Sequence, residues 1–424
     1  FEPNKYIQRR TELVKKINSG IILMIGNKKV SINYPSNTFY FRQDSTFLYY
    51  YGLNEPDLIG VIDCDENKHY LYGNDYGIDE LIWEGKNENL TYRAEKAGIT
   101  LSQGLKQFND FIKSNLSKKR KIHFLPQYQP ENILFLAEIL SLPTNTIKEK
   151  SSIELIKAIV EQRIIKDKDE IKEIEFALDN ITRQIFDFIL KNIKSGIKES
   201  YFASFAEGYP LNYNCRLAYS PIITINGQIL HNEEYYNTLK EGQLLLADIG
   251  SESPEHYASD ITRTYPVNRK FTQQQKEIYE LILSSQKTAL DNIKPHIPYS
   301  EIHKKASKTL AIGLVDLGLM KGNADEIVEA GAHALFFPHG LGHLIGLDVH
   351  DMEGLGENNV GYDEQYKRSE QFGTSFLRFA KPLQEGITIT VEPGIYFIPQ
   401  LIDLWKKEKR FIDFINYENI NKYR

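Results

Sequence analysis

The sequence predicts an α+β protein in two domains, a smaller α/β domain over residues 1–150 and a larger one over residues 151–424. Three observations point there. A chain of 424 residues exceeds what one hydrophobic core organises. The first 150 residues carry short β-rich runs punctuated by turn residues. Beyond a polar stretch, segments of helical period alternate with pairs of strand-like runs.

In the first domain, Tyr6 to Ile17 reads as a helix that ends before Gly20. Ile21–Ile25, Phe47–Leu53, Leu58–Cys64 and His69–Tyr72 read as strands, with Asn54-Glu55-Pro56 and Asp65-Glu66-Asn67 as turns. Pro143–Ser152 reads as a linker. A helix from about Asp167 to Lys191 follows from the spacing of Ile171, Ile174, Leu178, Ile181, Ile185 and Ile189. Strands are expected near 222–230, 243–249, 257–266, 345–350 and 386–398, and helices near 272–291 and 299–318. Residues 354–380 read as loop.

Composition narrows the function classes. At 41% hydrophobic and 25% charged, with a net charge of −6, the chain shows no electrostatic footprint for nucleic acid or an anionic membrane. No apolar stretch approaches the roughly 18–20 residues of a membrane span. Cys64 and Cys215 are too far apart for a disulfide framework or zinc ribbon, which fits a reducing, cytoplasmic setting. A chain that opens on Phe1 rather than methionine reads as processed or as a fragment.

The segment His339-Gly-Leu-Gly-His343-Leu-Ile-Gly-Leu-Asp-Val-His350-Asp351 packs three histidines and three glycines into thirteen residues. On a helix, 339 and 343 would form a metal-binding pair, but each glycine costs about 1 kcal/mol there relative to alanine. As extended chain, His339, Leu341 and His343 share a face, and the glycines admit another backbone or a ligand. Any one of these histidines alone reads as a packed or surface residue.

Carboxylates elsewhere complete a site. Gln243–Gly250 reads as a strand with Leu244, Leu246 and Asp248 on one face, which those leucines imply is buried. Tyr257–Thr264 reads as another, with Asp260, Thr262 and Thr264 together. Residues 251–255 supply the turn. A hairpin centred on Pro254 makes Asp248 and Asp260 directly opposed, with Cβ atoms about 4.5–5.5 Å apart. Such like charges destabilise the pair unless a cation joins them, and hard divalent ions prefer carboxylates. Glu392 ends a third strand, where Pro393 stops the ladder. His231 stands at the end of the apolar run Gln228-Ile-Leu.

Leu246-Ala-Asp248-Ile-Gly250, Ser259-Asp260-Ile-Thr-Arg-Thr264, the His339–Asp351 segment and Thr390-Val-Glu392-Pro-Gly-Ile-Tyr396 resemble motifs of the proline-specific metallopeptidases, Xaa-Pro aminopeptidase (aminopeptidase P) and prolidase. Phe41-Arg-Gln-Asp-Ser-Thr-Phe47 and Gly52-Leu-Asn-Glu-Pro56 resemble their N-terminal domain, so the resemblance covers almost the whole chain. It implies a pita-bread (creatinase/aminopeptidase) catalytic domain behind a smaller α/β domain. It also implies metal-dependent hydrolysis of the bond between an N-terminal residue and a following proline.

Carried over residue by residue, the resemblance makes Asp248 a ligand of one divalent ion and Asp260 a bridge between two. His343 and Glu392 become ligands of the other. His231 and His350 would hydrogen-bond the tetrahedral intermediate, His339 would sit beside the residue after the scissile bond, and Glu392 would pass a proton to the departing proline nitrogen. Mn²⁺ is the ion usual for this family, while Zn²⁺, Co²⁺ and Fe²⁺ are compatible with the same donors. A dimer or tetramer of identical chains is implied as well. Arg378 stands where prolidases carry an arginine suited to a dipeptide carboxylate. The family pattern includes a second bridging glutamate that would fall after Arg424, so truncation and low activity are expected of the chain as written.

Prolidase remains the neighbouring alternative to the aminopeptidase. A non-catalytic pita-bread binding module and a metal-free creatinase-like hydrolase are others, against which retention of Asp248, Asp260, His343 and Glu392 counts.

Overall fold

The apolar run Ile21–Ile25 sits inside a five-stranded sheet because both its faces are covered and all five residues are buried. In this computed structural model, which describes residues 1–423, the strand order is Leu101–Gln103, Lys68–Tyr72, Ile59–Asp63, Ile21–Ile25, Ile122–His123. Ile21 stands opposite Asp63 in antiparallel register and opposite Ile122 in parallel register. Phe108, Ile112, Phe124 and Leu136 fill the core against it. This sheet belongs to one unit, Phe1–Arg163 with Gly354–Asn359; the other comprises Ile164–Glu353 and Val360–Arg424.

The opening helix spans Pro3–Ile17. The expected strand at Phe47–Leu53 is instead the helix Ser45–Tyr51. Its aromatic run favours strand by propensity, but both ends are capped. The Asp44 carboxylate accepts from the Phe47 amide at 2.9 Å, and Gly52 closes the helix at φ 66°. Arg9 and Arg10 then donate to the Tyr49 and Tyr50 carbonyls at 2.9 and 2.6 Å, which satisfies acceptors a buried helix end would otherwise strand. Every residue of the helix is buried.

In the second unit, Ile222–Thr224, Leu244–Ile249 and Ile261–Pro266 form an antiparallel sheet. The expected strand at 222–230 stops early, at Thr224. Leu245, Ala247 and Ile249 are the fully buried face, packed with Ile181, Ile185 and Ile189. The alternate face, with Leu244, Leu246 and Asp248, is only half-buried, which corrects the reading that the leucines beside Asp248 mark the core side. The isoleucine-spaced helix runs from Lys168 to Asn192 with a π turn over Ala177–Thr182, and Asp167 with Glu170 forms its capping box. Gln273–Asn292 and Tyr299–Asp316 are helices as expected.

The strands expected at 345–350 and 386–398 pair differently. Glu392 N donates to Leu341 O at 2.7 Å, Thr390 N to His343 O at 2.9 Å, and Ile345 N to Thr388 O at 3.1 Å. The contact therefore joins 341–345 to 388–392, as an irregular ladder. Past Ile345 the chain turns: Asp351 N reaches back to Leu344 O at 2.9 Å. Among the described residues, no helix is long and apolar enough to cross a membrane.

Candidate metal centre

The hairpin that carries the two aspartates pairs Thr262 with Asp248 and Ile261 with Ile249. Glu252 bridges to Ala258 in the same register. The turn thus centres on Glu255 rather than Pro254, and Asp248 and Asp260 are diagonal rather than directly opposed. The offset is two residues, which is one side-chain period, so both carboxylates stay on the same face. Gly250 allows this, since a Cβ there would overlap the Ser259 carbonyl. The Tyr219 hydroxyl joins the aspartates, 2.5 Å from Asp248 Oδ1 and 2.8 Å from Asp260 Oδ1.

The irregular ladder supplies the other half. His343 Nε2 lies 3.2 Å from Asp260 Oδ2 and 3.1 Å from Glu392 Oε1, and ligand atoms of these three residues lie within 4.8 Å of one another. The glycines between the histidines admit backbone here. A Cβ at Gly342 would overlap the Thr390 carbonyl, and one at Gly340 would crowd the Leu377 backbone. Thr390 orients both ligands: its hydroxyl donates to Glu392 Oε1 at 2.7 Å and accepts from the His343 amide at 2.9 Å. His343 Nδ1 faces the Leu344 carbonyl at 3.0 Å, so a neutral ring carries its proton there and turns the Nε2 lone pair toward the carboxylates.

Electrostatics point the same way. Burial, with the charge of Asp260 added, pushes the Asp248 carboxyl up to about 7. For His343, burial opposes the charged form, but hydrogen bonds to Asp260 and Glu392 overcome it and raise the imidazole to about 10. Burial likewise opposes ionisation of Glu392, and the His343 hydrogen bond wins, holding the carboxyl at about 2. The carboxyl groups of Asp248, Asp260 and Glu392 thus converge on the His343 imidazole. A divalent cation held by Asp248, Asp260, His343 and Glu392 fits this donor set, oxygen-rich with one nitrogen.

The remaining expected residues fall around this centre. The His350 ring meets His343 at 4.1 Å between centroids, and its Nδ1 lies 2.7 Å from Glu353 Oε2. His339 turns Nδ1 to the Gly340 carbonyl at 2.8 Å and Nε2 to the Tyr396 hydroxyl at 3.2 Å. Burial lowers its pKa against the pull of Glu392, and nearby His231 pushes down as well. His231 itself is exposed, past the turn that ends the short strand. Arg378 Nη1 pairs with Glu353 Oε1 at 2.7 Å. The bridging glutamate expected after Arg424 lies outside the described residues.

Sequence reasoning missed Tyr219 and Glu353. Tyr219 sits in no pattern and reaches the aspartates only through tertiary structure. Glu353 follows His350 by three residues, a spacing that could have flagged it. Thr390 shares a strand face with Glu392 by period two, which also could have been read.

A hairpin and a glycine-bearing ladder thus bring together carboxylates and an imidazole suited to a divalent cation. The chain belongs to metallopeptidase family M24, whose model matches residues 177–417, and the aminopeptidase P N-terminal domain matches residues 6–123. It is 29% identical to human Xaa-Pro dipeptidase over 98% of this chain and 85% of that protein. It is 30% identical to a probable Xaa-Pro aminopeptidase of Fusarium vanettenii, over 90% and 80%. Among solved structures, zinc-substituted aminopeptidase P of E. coli in complex with product superposes with a TM-score of 0.79 at 27% identity, covering 93% of this chain and 88% of that one.

Proposed function

We infer that this chain is a divalent-metal-dependent Xaa-Pro aminopeptidase, which hydrolyses the bond between an N-terminal residue and a following proline. The observation that carries the reading is the convergence of Asp260, His343 and Glu392, with Asp248 joined through Tyr219, in a chain of family M24. The relatives named for Xaa-Pro cleavage, which match along nearly its whole length, support the substrate class.

Two ions, read as Mn²⁺, would be held by these four residues; when bound they would polarise a carbonyl and bring the pKa of water down toward 7. The chain's own residues then act as follows. Glu392, hydrogen-bonded by Thr390, would take a proton from the attacking water and pass it to the proline nitrogen, a poor leaving group until protonated. His350, oriented through Nδ1 by Glu353, would present Nε2 to the developing oxyanion, with His231 as a second donor. His339, whose pKa burial lowers, flanks the residue after the scissile bond.

The substrate is a peptide with proline second. Two buried free cysteines support a reducing, cytoplasmic setting. A homo-oligomer is proposed too, for which the exposed Ile78, Ile82 and Trp83 of one wholly exposed helix offer apolar surface. The dipeptidase reading stays beside the main one because of Arg378 and the human relative.

The test offers Xaa-Pro and Xaa-Pro-Yaa to the Mn²⁺-loaded protein. Cleavage of the tripeptide is expected, cleavage of the dipeptide alone makes it a prolidase, and cleavage of neither sinks the enzyme reading.

A further inference from the structure

We propose that Glu353 is a specificity-determining residue, which occupies Arg378 with an internal carboxylate and so biases the site toward peptides that continue beyond proline. The proposal rests on the Xaa-Pro reading above.

A line of contacts runs from the metal ligands to this carboxylate. The His343 and His350 rings meet at 4.1 Å, His350 Nδ1 lies 2.7 Å from Glu353 Oε2, and Glu353 Oε1 lies 2.7 Å from Arg378 Nη1. One carboxylate therefore orients a substrate-facing imidazole with one oxygen and holds a guanidinium with the other. Charge-assisted pairs of this kind hold Glu353 ionised, since the His350 hydrogen bond and the Arg378 charge keep its carboxyl at about 2.

A dipeptide ends in a free carboxylate on its proline, whereas a longer peptide presents a neutral amide there. For Arg378 to take that carboxylate it must either hold two anions that repel each other or release Glu353. Releasing Glu353 would cost the ion pair at its Oε1, while Oε2 still accepts from His350 Nδ1. A neutral amide imposes neither cost. The Arg378 and Glu353 side chains are 32% and 43% exposed, so water screens the pair and the result is a bias rather than a bar.

The discriminating variant is Glu353→Gln, which keeps an acceptor oxygen for His350 and withdraws the negative charge from Arg378. With the Mn²⁺-loaded protein, the probes are L-proline and L-prolinamide, which differ only in the carboxylate and contain no Xaa-Pro bond. In the wild type, proline is expected to bind no tighter than prolinamide. In the variant, the ratio should move toward proline by roughly two- to fivefold, the scale of one partly exposed charge pair. The kcat/KM ratio of Xaa-Pro to Xaa-Pro-Yaa should rise by the same factor, mainly through the dipeptide KM. In Glu353→Gln/Arg378→Met the gain should vanish. An unchanged ratio in Glu353→Gln, a gain that persists without Arg378, or a wild type that already prefers proline tenfold would each overturn the proposal. Since the binding ratio needs no turnover, a protein that cleaves neither peptide fails the function reading alone.

Discussion

Lys166 and Asp351 form a buried ion pair, Nζ to Oδ2 at 2.7 Å, with each side chain 1% exposed. The pair closes the turn that begins after His343 and ends after His350. Asp351 N binds Leu344 O, Lys166 N binds Gly386 O at 2.8 Å, and a Cβ at Gly346 would crowd the Asp351 carboxylate. Both strands of the ligand ladder thus meet at Lys166. Lys166→Met takes the lysine partner from the buried Asp351 carboxylate, a loss of up to about 3–5 kcal/mol. Because a domain is stable by only about 5–15 kcal/mol, that is a large fraction of the whole. Lys166→Met/Asp351→Leu removes both charges and should recover most of the loss, since apolar pairs replace buried ion pairs at little cost. Urea unfolding followed by fluorescence of buried Trp405, in the same unit, reads both variants. A single variant that costs under about 1 kcal/mol, or a double variant as unstable as the single, would refute the reasoning.

Tyr219→Phe removes the hydroxyl shared by Asp248 and Asp260 while keeping the ring, so Mn²⁺ affinity should fall by about 10- to 100-fold, as for other residues that orient ligands. Calorimetric titration checks this, and unchanged affinity would remove Tyr219 from the site. Proton release gives the pH dependence. With His343 at about 10 and Asp248 at about 7, both raised by the fold, the metal-free protein holds these protons at neutral pH and is destabilised as pH climbs through those values. Mn²⁺ displaces them, so at pH 7 binding should release between about one and two protons and strengthen as pH rises. Titration in buffers of different ionisation enthalpy reads the number, and no release contradicts the assignment.

The site was more legible than the fold around it. Asp248, Asp260, His343 and Glu392 were readable because each sits in a short motif, and backbone periodicity sets their faces. The two-residue register error was harmless for the same reason: a shift by one full period leaves both aspartates on one face. The helix at Ser45–Tyr51 was illegible from propensity, because Asp44, Gly52 and two distant arginines decide it. The paired segment 341–345 was misplaced because glycines obscure strand patterning, and its turn depends on Lys166, far away in sequence. The glycines were read as room for another backbone or a ligand, and at 340 and 342 neighbouring backbone takes that room. The Glu353–Arg378 pair lies 25 residues apart in sequence, with only short helical turns and loop between, and the fold brings it together.

Metal analysis of the wild type against His343→Ala tests the centre most directly. His343 contacts both Asp260 and Glu392, so its loss should lower bound Mn²⁺ by one ion per chain while the fold, followed by circular dichroism, persists. Unchanged stoichiometry in a folded variant would contradict the assignment of His343, and with it the metal centre described above.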